Sequence, residues 1–185
     1  MVPKIAEIEY TPNPNAVKFL LKESVAKGFP KNFASAEVAA SDPLAKSLFE
    51  VGHVLSIYMQ DKWITVTKDD HTTWTDLLPK LAAPIRSFQV SDTPVDAPPS
   101  RVVSDLYDPN DPILQKVQAV LNETILPALA SDGGGLEVVG RHEKQILIRY
   151  QGACGTCPSS LTGTLTAIEN LIHQKIDPEL TVVSV

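Results

Sequence analysis

The stretch GACGTCPSS, residues 152–160, contains both cysteines of this 185-residue chain. An apolar run at 146–150 leads into it, and a periodic apolar segment from 161 to 172 leads out. This pattern predicts a strand, then a loop carrying Cys154 and Cys157, then a helix. Two thiols on one short loop either form a redox pair or supply half of a four-thiolate metal site. The function of the chain depends on which of the two it is.

The predicted helix start affects the chemistry of both thiols. Pro158 suits the first helical position, which puts Cys157 at or beside the N-cap. Unpaired backbone amides and the positive end of the helix dipole lie there, and both favour the thiolate form that binds metals. Gly152 and Gly155 allow the backbone to approach an inorganic cluster closely.

Composition places the chain among ordinary globular proteins. Hydrophobic residues make up 43% and charged residues 21% of the sequence. No apolar run approaches the ~20 residues of a membrane span. The net charge is −6 and aromatic residues make up 6%, which argues against nucleic-acid binding. With no leader-like segment at the start, we expect a cytoplasmic bacterial protein, or a mitochondrial matrix protein whose leader was removed, with no membrane partner.

Residues 1–90 are predicted to form a small α/β domain. The predicted elements, in chain order, are strands at 5–10, 16–21 and 29–33, a helix capped by Ser41 or Asp42, strands at 54–59 and 63–67, and a helix at 73–88. Pro79 and Pro84 lie inside the last helix and predict a kink or an early stop. His53 and His71 have no acid or thiol at ligand spacing, so this half predicts no chemistry.

Residues 91–111 are predicted to be a linker. The segment is rich in proline and aspartate and has few large apolar residues, so it cannot offset its ordering entropy by burial. Its prolines favour an extended tether between two semi-independent domains. Apolar residues at 102, 103, 106 and 107 support the alternative that the segment packs against the domains.

Residues 112–185 are predicted to form a second domain with the order α-β-β-α-β. The predicted elements are a helix that begins at Asp111-Pro112, strands at 136–139 and 146–150, the helix after the cysteine loop, and a strand at 180–185. Pro127 predicts a kink or a tightened last turn in the first of these helices. The run Asp132-Gly133-Gly134-Gly135 is interpreted as a helix stop and not as a phosphate loop, because it lacks the GK[ST] ending. The fold class is therefore α/β of the α+β type, with two small domains.

The residues alone leave three interpretations of the cysteine loop open. A dithiol oxidoreductase of the thioredoxin type has a C-G-x-C between a strand and a helix, although few residues follow Cys157 here and no Trp precedes Cys154. A zinc ion or a [4Fe–4S] cluster takes four thiolates, so Cys154 and Cys157 would need a second copy of the chain to complete the site. The third interpretation is an interaction module, with or without bound zinc.

Two sets of residues add a family resemblance. In the first half they are TPNPN at 11–15 with Lys18-Phe19, Pro43-Leu44-Ala45 with Leu48-Phe49, ITVTK at 64–68, and Trp74. This set resembles the N-terminal accessory domain of Nfu-type iron–sulfur carriers.

The second half of the chain has a motif set of its own, namely PAL at 127–129, DGG at 132–134, GACGTCPSS at 152–160, and Gly163 through Ile168-Glu169. This set resembles the C-terminal NifU/Nfu domain.

The resemblance implies a specific activity. Cys154 and Cys157 from each of two subunits would hold one shared [4Fe–4S] cluster in a homodimer that exists when loaded. The cluster would come from upstream assembly proteins and pass by ligand exchange to apo client proteins. The chain is therefore expected to be a carrier or scaffold and not an enzyme. TLTAIE at 164–169 departs from relatives that often carry Lys/Asn-Gly before Ile-Glu, which leaves the ligands unchanged.

Overall fold

The computed structural model of the chain describes residues 3–89, 106–156 and 163–185. The chain divides into two compact units, with the division between Ser100 and Arg101. Each unit combines helices with its own sheet, so the predicted α+β class with two small domains is confirmed. Within the described residues, no helix has the length and apolar character needed to cross a bilayer.

Within residues 3–89, the first unit has five strands and two α-helices. In chain order they are β1 (Ile5–Tyr10), β2 (Ala16–Leu21), β3 (Ala26–Phe33), α1 (Pro43–Phe49), β4 (Val54–Asp61), β5 (Trp63–Lys68) and α2 (Trp74–Ser87). The strands form one sheet in the order β1-β2-β5-β4-β3, and the pairings are antiparallel. Alternate residues of β2, β4 and β5 pack with α1 and α2 in a single buried cluster. Both helices therefore contribute to the same core.

Local signals in the first unit predict its elements well, with two corrections. Asp42 caps α1 by accepting hydrogen bonds from the amides of Leu44 and Ala45, as the sequence predicts. The predicted early stop in α2 is wrong, because the helix includes both of its prolines and ends at Ser87. His53 does have an acidic neighbour, since its Nδ1 lies 3.0 Å from Asp69 Oδ2 in an exposed pair. That pair is formed by residues sixteen positions apart, which local spacing cannot show.

The second unit follows the predicted order α-β-β-α-β. Its elements are α3 (Pro112–Ser131), β6 (Gly134–His142), β7 (Gln145–Gly152), α4 (Leu165–Lys175) and β8 (Thr181–Ser184). The sheet order is β6-β7-β8, with β6 and β7 antiparallel and β7 and β8 parallel. The unit has a core of its own, formed by Leu114, Val117, Leu121, Leu129, Leu136, Val138, Ile146, Ile148, Tyr150, Cys154, Ile168, Ile172, Leu180 and Val182. Cys154 is thus part of a hydrophobic core.

Asp111 joins the start of α3 to the sheet. Its carboxylate caps the helix by accepting hydrogen bonds from the amides of Ile113 and Leu114. The same carboxylate lies 2.7 Å from the Arg141 guanidinium on β6. Burial opposes the charge, but the hydrogen bonds from Arg141 and the two amides outweigh it, and the pKa of Asp111 is lowered.

Part of the segment predicted as a linker contacts the second unit. The amide of Arg141 donates to the Leu106 carbonyl at 3.0 Å. Gly140 makes room for this approach, because a Cβ there would lie 2.5 Å from the Leu106 oxygen. Tyr107 packs against the second core. The rest of the predicted linker, 91–105, lies outside the described residues.

We expect Asp111→Ala to lower the free energy of unfolding of the second unit by about 1–2 kcal/mol at pH 7, since a lost N-cap typically costs this much. The carboxylate has a lowered pKa when folded, so it stabilises above its unfolded pKa of about 3.9. The difference from the wild type should therefore shrink as the pH falls below about 4. Urea unfolding followed by far-UV circular dichroism at pH 7 and pH 3 measures both effects.

Asp42→Ala, which removes the cap of α1, is the matched control. Both tryptophans, Trp63 and Trp74, lie in the first unit, so tryptophan fluorescence follows that unit. Asp42→Ala should shift the fluorescence transition, and Asp111→Ala should leave it in place. A fluorescence shift with Asp111→Ala would contradict the assignment of its effect to the second unit.

Candidate metal centre

The chain enters the cysteine loop through Gly152, the last residue of β7. Gly152 has φ 62° and ψ −141°, a backbone conformation that residues with a Cβ rarely adopt. It turns the chain out of the strand and into a single 3-10 turn, Ala153–Gly155. Cys154 is the middle residue of that turn. Its position therefore follows directly from the end of β7.

The Cys154 side chain occupies a space that exists because residue 134 is glycine. A Cβ on Gly134 would lie 2.3 Å from Cys154 Sγ and 2.9 Å from the Cβ and backbone nitrogen of Cys154. We call this space the Gly134 slot. Cys154 is 1% exposed there. Any side chain larger than hydrogen at position 134 would displace the sulfur.

Backbone contacts hold the loop over the slot. Gly134 and Gly152 are register partners in the β6–β7 ladder, so the start of one strand faces the end of the other. The amide of Ala153 donates to the Gly133 carbonyl at 3.2 Å. Gly133 itself has φ 78°, which ends α3 and turns the chain into β6. The glycine run thus stops the helix, as predicted, and also supports the cysteine loop.

Tyr150 lies on β7, four residues before Cys154, and belongs to the same buried cluster. Its hydroxyl is buried and has no hydrogen-bond partner among the residues that the structure describes. Burial, and then the negative charge of Cys154, raise the pKa of Tyr150 to about 12. The phenol therefore stays protonated at neutral pH and can only donate to an anionic neighbour.

The structure describes one of the two predicted ligands. Cys154 lies in the turn after β7, and Cys157 lies outside the described residues. The described part of α4 begins at Leu165, so the predicted N-cap position of Cys157 stays a prediction. Within residues 3–89, 106–156 and 163–185, no three His, Cys, Asp or Glu side chains are grouped so as to hold a metal ion. His142 lies exposed at the end of β6, as the sequence predicts.

Sequence reasoning missed two residues of this site. The sequence pattern indicates Gly134 only as part of a helix stop and Tyr150 only as part of an apolar strand. The tight approach of Gly134 to Cys154 joins positions twenty residues apart, so it appears only once β6 and β7 are paired. The unpartnered hydroxyl of Tyr150 likewise depends on what surrounds it in the folded unit.

The described residues suit a thiolate-bound inorganic group. The sulfur of Cys154 is a soft donor on a glycine-flanked turn, and soft thiolates select zinc and iron–sulfur clusters. A protonated donor, Tyr150, lies in the same buried cluster without an acceptor. A sulfur donor, a close backbone and a hydrogen-bond donor in the same cluster are features that suit such a group.

Comparison with known families covers both halves of the chain. Residues 5–92 match the family described as "Scaffold protein Nfu/NifU N terminal". Residues 117–183, which include both cysteines, match the family described as "NifU-like domain". The chain belongs to the Nfu/NifU family. The resemblance carried by the TPNPN and GACGTCPSS motifs is thereby confirmed.

Relatives of this Nfu/NifU chain come from several flies. A protein of Drosophila sechellia named "NFU1 iron-sulfur cluster scaffold homolog, mitochondrial" is 32% identical over 166 residues, which cover 88% of this chain and 58% of that protein. The protein of the same name from Drosophila persimilis is 30% identical with the same coverage. The chain thus spans less than two thirds of these relatives. The solution NMR structure of a NifU-like protein from Saccharomyces cerevisiae is 24% identical, covers 46% of this chain and 76% of its own, and has a TM-score of 0.40.

We expect Gly134→Ala to expose the Cys154 thiol. The added methyl group has no room in the Gly134 slot, and relieving such a clash costs about 1–3 kcal/mol of folded-state stability. The test uses a Cys157→Ser background, where Cys154 is the single thiol. Alkylation of Cys154 by iodoacetamide should be about tenfold faster than in the Cys157→Ser parent, because the free energy of local opening around the thiol is lower. Mass spectrometry over time gives the rate.

Gly163→Ala is the matched control, since a Cβ at Gly163 meets no atom of the described residues within 4 Å. Its alkylation rate should equal that of the Cys157→Ser parent. Equal rates for Gly134→Ala and Gly163→Ala would show that the slot does not hold the thiol.

Proposed function

We propose that this Nfu/NifU chain binds a [4Fe–4S] cluster through Cys154 and Cys157 of two copies and transfers it to apo-proteins. The observation that carries the proposal is the Cys154 turn, held between the start of β6 and the end of β7 inside the region that matches the NifU-like domain. Relatives that are 30% and 32% identical are named as iron–sulfur cluster scaffold homologs, which supports the same cargo here.

A count of thiolates supports the shared site. A [4Fe–4S] cluster takes four cysteine thiolates, and this chain has two cysteines. Two copies related by a two-fold axis supply four equivalent ligands, and a two-fold dimer is the simplest closed assembly. The homodimer is thus part of the proposal, and it exists when the cluster is bound.

Transfer by ligand exchange requires no catalytic group. An iron–sulfur bond to Cys154 breaks as a bond to a thiolate of the acceptor forms, and the released cysteine takes up the proton that the acceptor thiol loses. No electron is gained or lost in this exchange. We therefore propose a carrier and not an enzyme, with apo iron–sulfur proteins as clients and cluster-assembly proteins as donors.

The names of the fly relatives support a proposal for the location of this protein in the cell. The fly proteins are named as mitochondrial. We include a location in the mitochondrial matrix in the proposal, and immunofluorescence of the untagged protein against a matrix marker tests it. A cytosolic signal alone would contradict it.

Anaerobic reconstitution with iron and sulfide tests the shared cluster. We expect broad visible absorption near 400 nm, about two iron atoms per chain, and a monomer-to-dimer shift on native mass spectrometry, since one four-iron cluster serves two chains. Cys154→Ser and Cys157→Ser should each lose the absorption and the dimer. Unchanged cluster binding in the double variant would refute the site.

His142→Ala is the control for this experiment. His142 is exposed at the end of β6, so its removal should leave iron content and dimerisation unchanged. Iron-free protein that binds one zinc ion per dimer through its four thiolates would instead support a zinc module. Rapid reduction of insulin disulfides by the apo protein would support the dithiol oxidoreductase.

A further inference from the structure

The Tyr150 hydroxyl is a buried donor that lacks an acceptor. Tyr150 is 6% exposed, and its oxygen has no hydrogen-bond partner in the described residues. In the described part of the second unit it is the single side-chain polar atom in this condition. Buried polar groups are almost always paired, so an unpaired one calls for a physical reason.

Packing does not explain the hydroxyl. The ring of Tyr150 belongs to the second core together with Leu136 and Ile148, and phenylalanine would fill the same apolar space. A phenylalanine at this position would avoid the cost of burying an unpaired hydroxyl. The unpaired hydroxyl oxygen therefore lowers the stability of the folded protein without its ligand. An acceptor supplied by a bound ligand would offset that loss of stability.

The Cys154 sulfur is an acceptor in the same buried cluster as the Tyr150 ring. A Cβ on Gly155, the residue after Cys154, would lie 3.5 Å from the Tyr150 carbonyl oxygen. The turn therefore folds back along the strand that carries the phenol.

We propose that the Tyr150 hydroxyl donates a hydrogen bond to the Cys154 sulfur when that sulfur ligates an iron–sulfur cluster. A thiolate sulfur is an anionic acceptor, and hydrogen bonds to anionic acceptors are stronger than those between neutral groups. Without the cluster, the Tyr150 hydroxyl has no acceptor among the described residues. When the cluster binds, the ligating Cys154 sulfur becomes that acceptor. This inference rests on the proposed function, because it requires Cys154 to be a ligand.

Such a bond affects how the cluster is held. A donor to a ligating sulfur withdraws electron density from the iron–sulfur bond and raises the reduction potential of a cluster. It also stabilises the thiolate that is released when the cluster leaves. Both effects favour ligand exchange. The Tyr150 hydrogen bond therefore makes the bond between iron and the Cys154 sulfur easier to break.

Tyr150→Phe tests the bond. After reconstitution, the variant should show a higher Fe–S(Cys) stretching frequency in resonance Raman spectra and a lower reduction potential than the wild type. Release of iron to a ferrous chelator should be about tenfold slower, within the range that outer hydrogen-bond partners of metal ligands produce. The apo variant should be as stable as the wild type or more stable, because it loses an unpaired hydroxyl.

Tyr58→Phe is the matched control. Tyr58 is 2% exposed in the first unit, and its hydroxyl donates to Gln60 Oε1 at 3.0 Å. Its removal should destabilise the first unit and leave the cluster spectrum and the release rate unchanged. A change of the cluster in Tyr58→Phe would show that the readouts respond to any lost phenol and would overturn the inference.

The remaining outcomes separate the two proposals. Wild-type protein that loads normally, with Tyr150→Phe identical in Raman frequency, potential and release, would overturn the hydrogen bond and leave the proposed function standing. Apo Tyr150→Phe that is less stable than the wild type would show that the hydroxyl already has a partner, and would also overturn it. Wild-type protein that takes up no cluster would refute both.

Discussion

The packing of the Cys154 sulfur against Gly134 is the contact on which the candidate site depends. Two strands supply the sulfur and the space for it, because Gly134 begins β6 and Cys154 follows the end of β7. The position of the thiol is therefore set by the register of a sheet, which is rigid, and not by the loop alone. Ligands held by regular elements are placed more accurately than ligands held by free loops.

Local sequence patterns predict the helices and strands around this site. The contacts of the Cys154 side chain depend on residues that are distant in sequence. The strand before Cys154 and the cap at Asp111 follow from apolar periodicity and from side-chain chemistry a few residues apart. The Gly134 slot joins two segments that are distant in sequence, so no local rule could reveal it. The same limit explains why an early stop at Pro79 or Pro84 is wrong, since local rules do not include the packing of α2 in the first core.

The chemistry of the chain is concentrated in the second unit. The first unit has a separate core, and its exposed His53–Asp69 pair is not part of any metal-binding group among the described residues. In the second unit the proposed ligand is part of the core, since Cys154 belongs to the same buried cluster as Leu129 and Ile168. A substitution in that core therefore changes stability and thiol placement together, whereas a substitution in the first core can change stability alone.

Departures from local structural rules coincide around Cys154. Gly152 adopts a backbone conformation that other residues rarely adopt. Gly134 leaves a space that the Cys154 sulfur fills. The buried Tyr150 hydroxyl has no hydrogen-bond partner among the described residues. An unpaired buried hydroxyl alone does not mark a site, because Thr65 and Thr67 in the first unit have them too. Three independent departures at one turn are a stronger sign, since strain and unpaired groups persist where function requires them. The geometry of the second unit therefore singles out Cys154, a residue inside the region that matches the NifU-like domain.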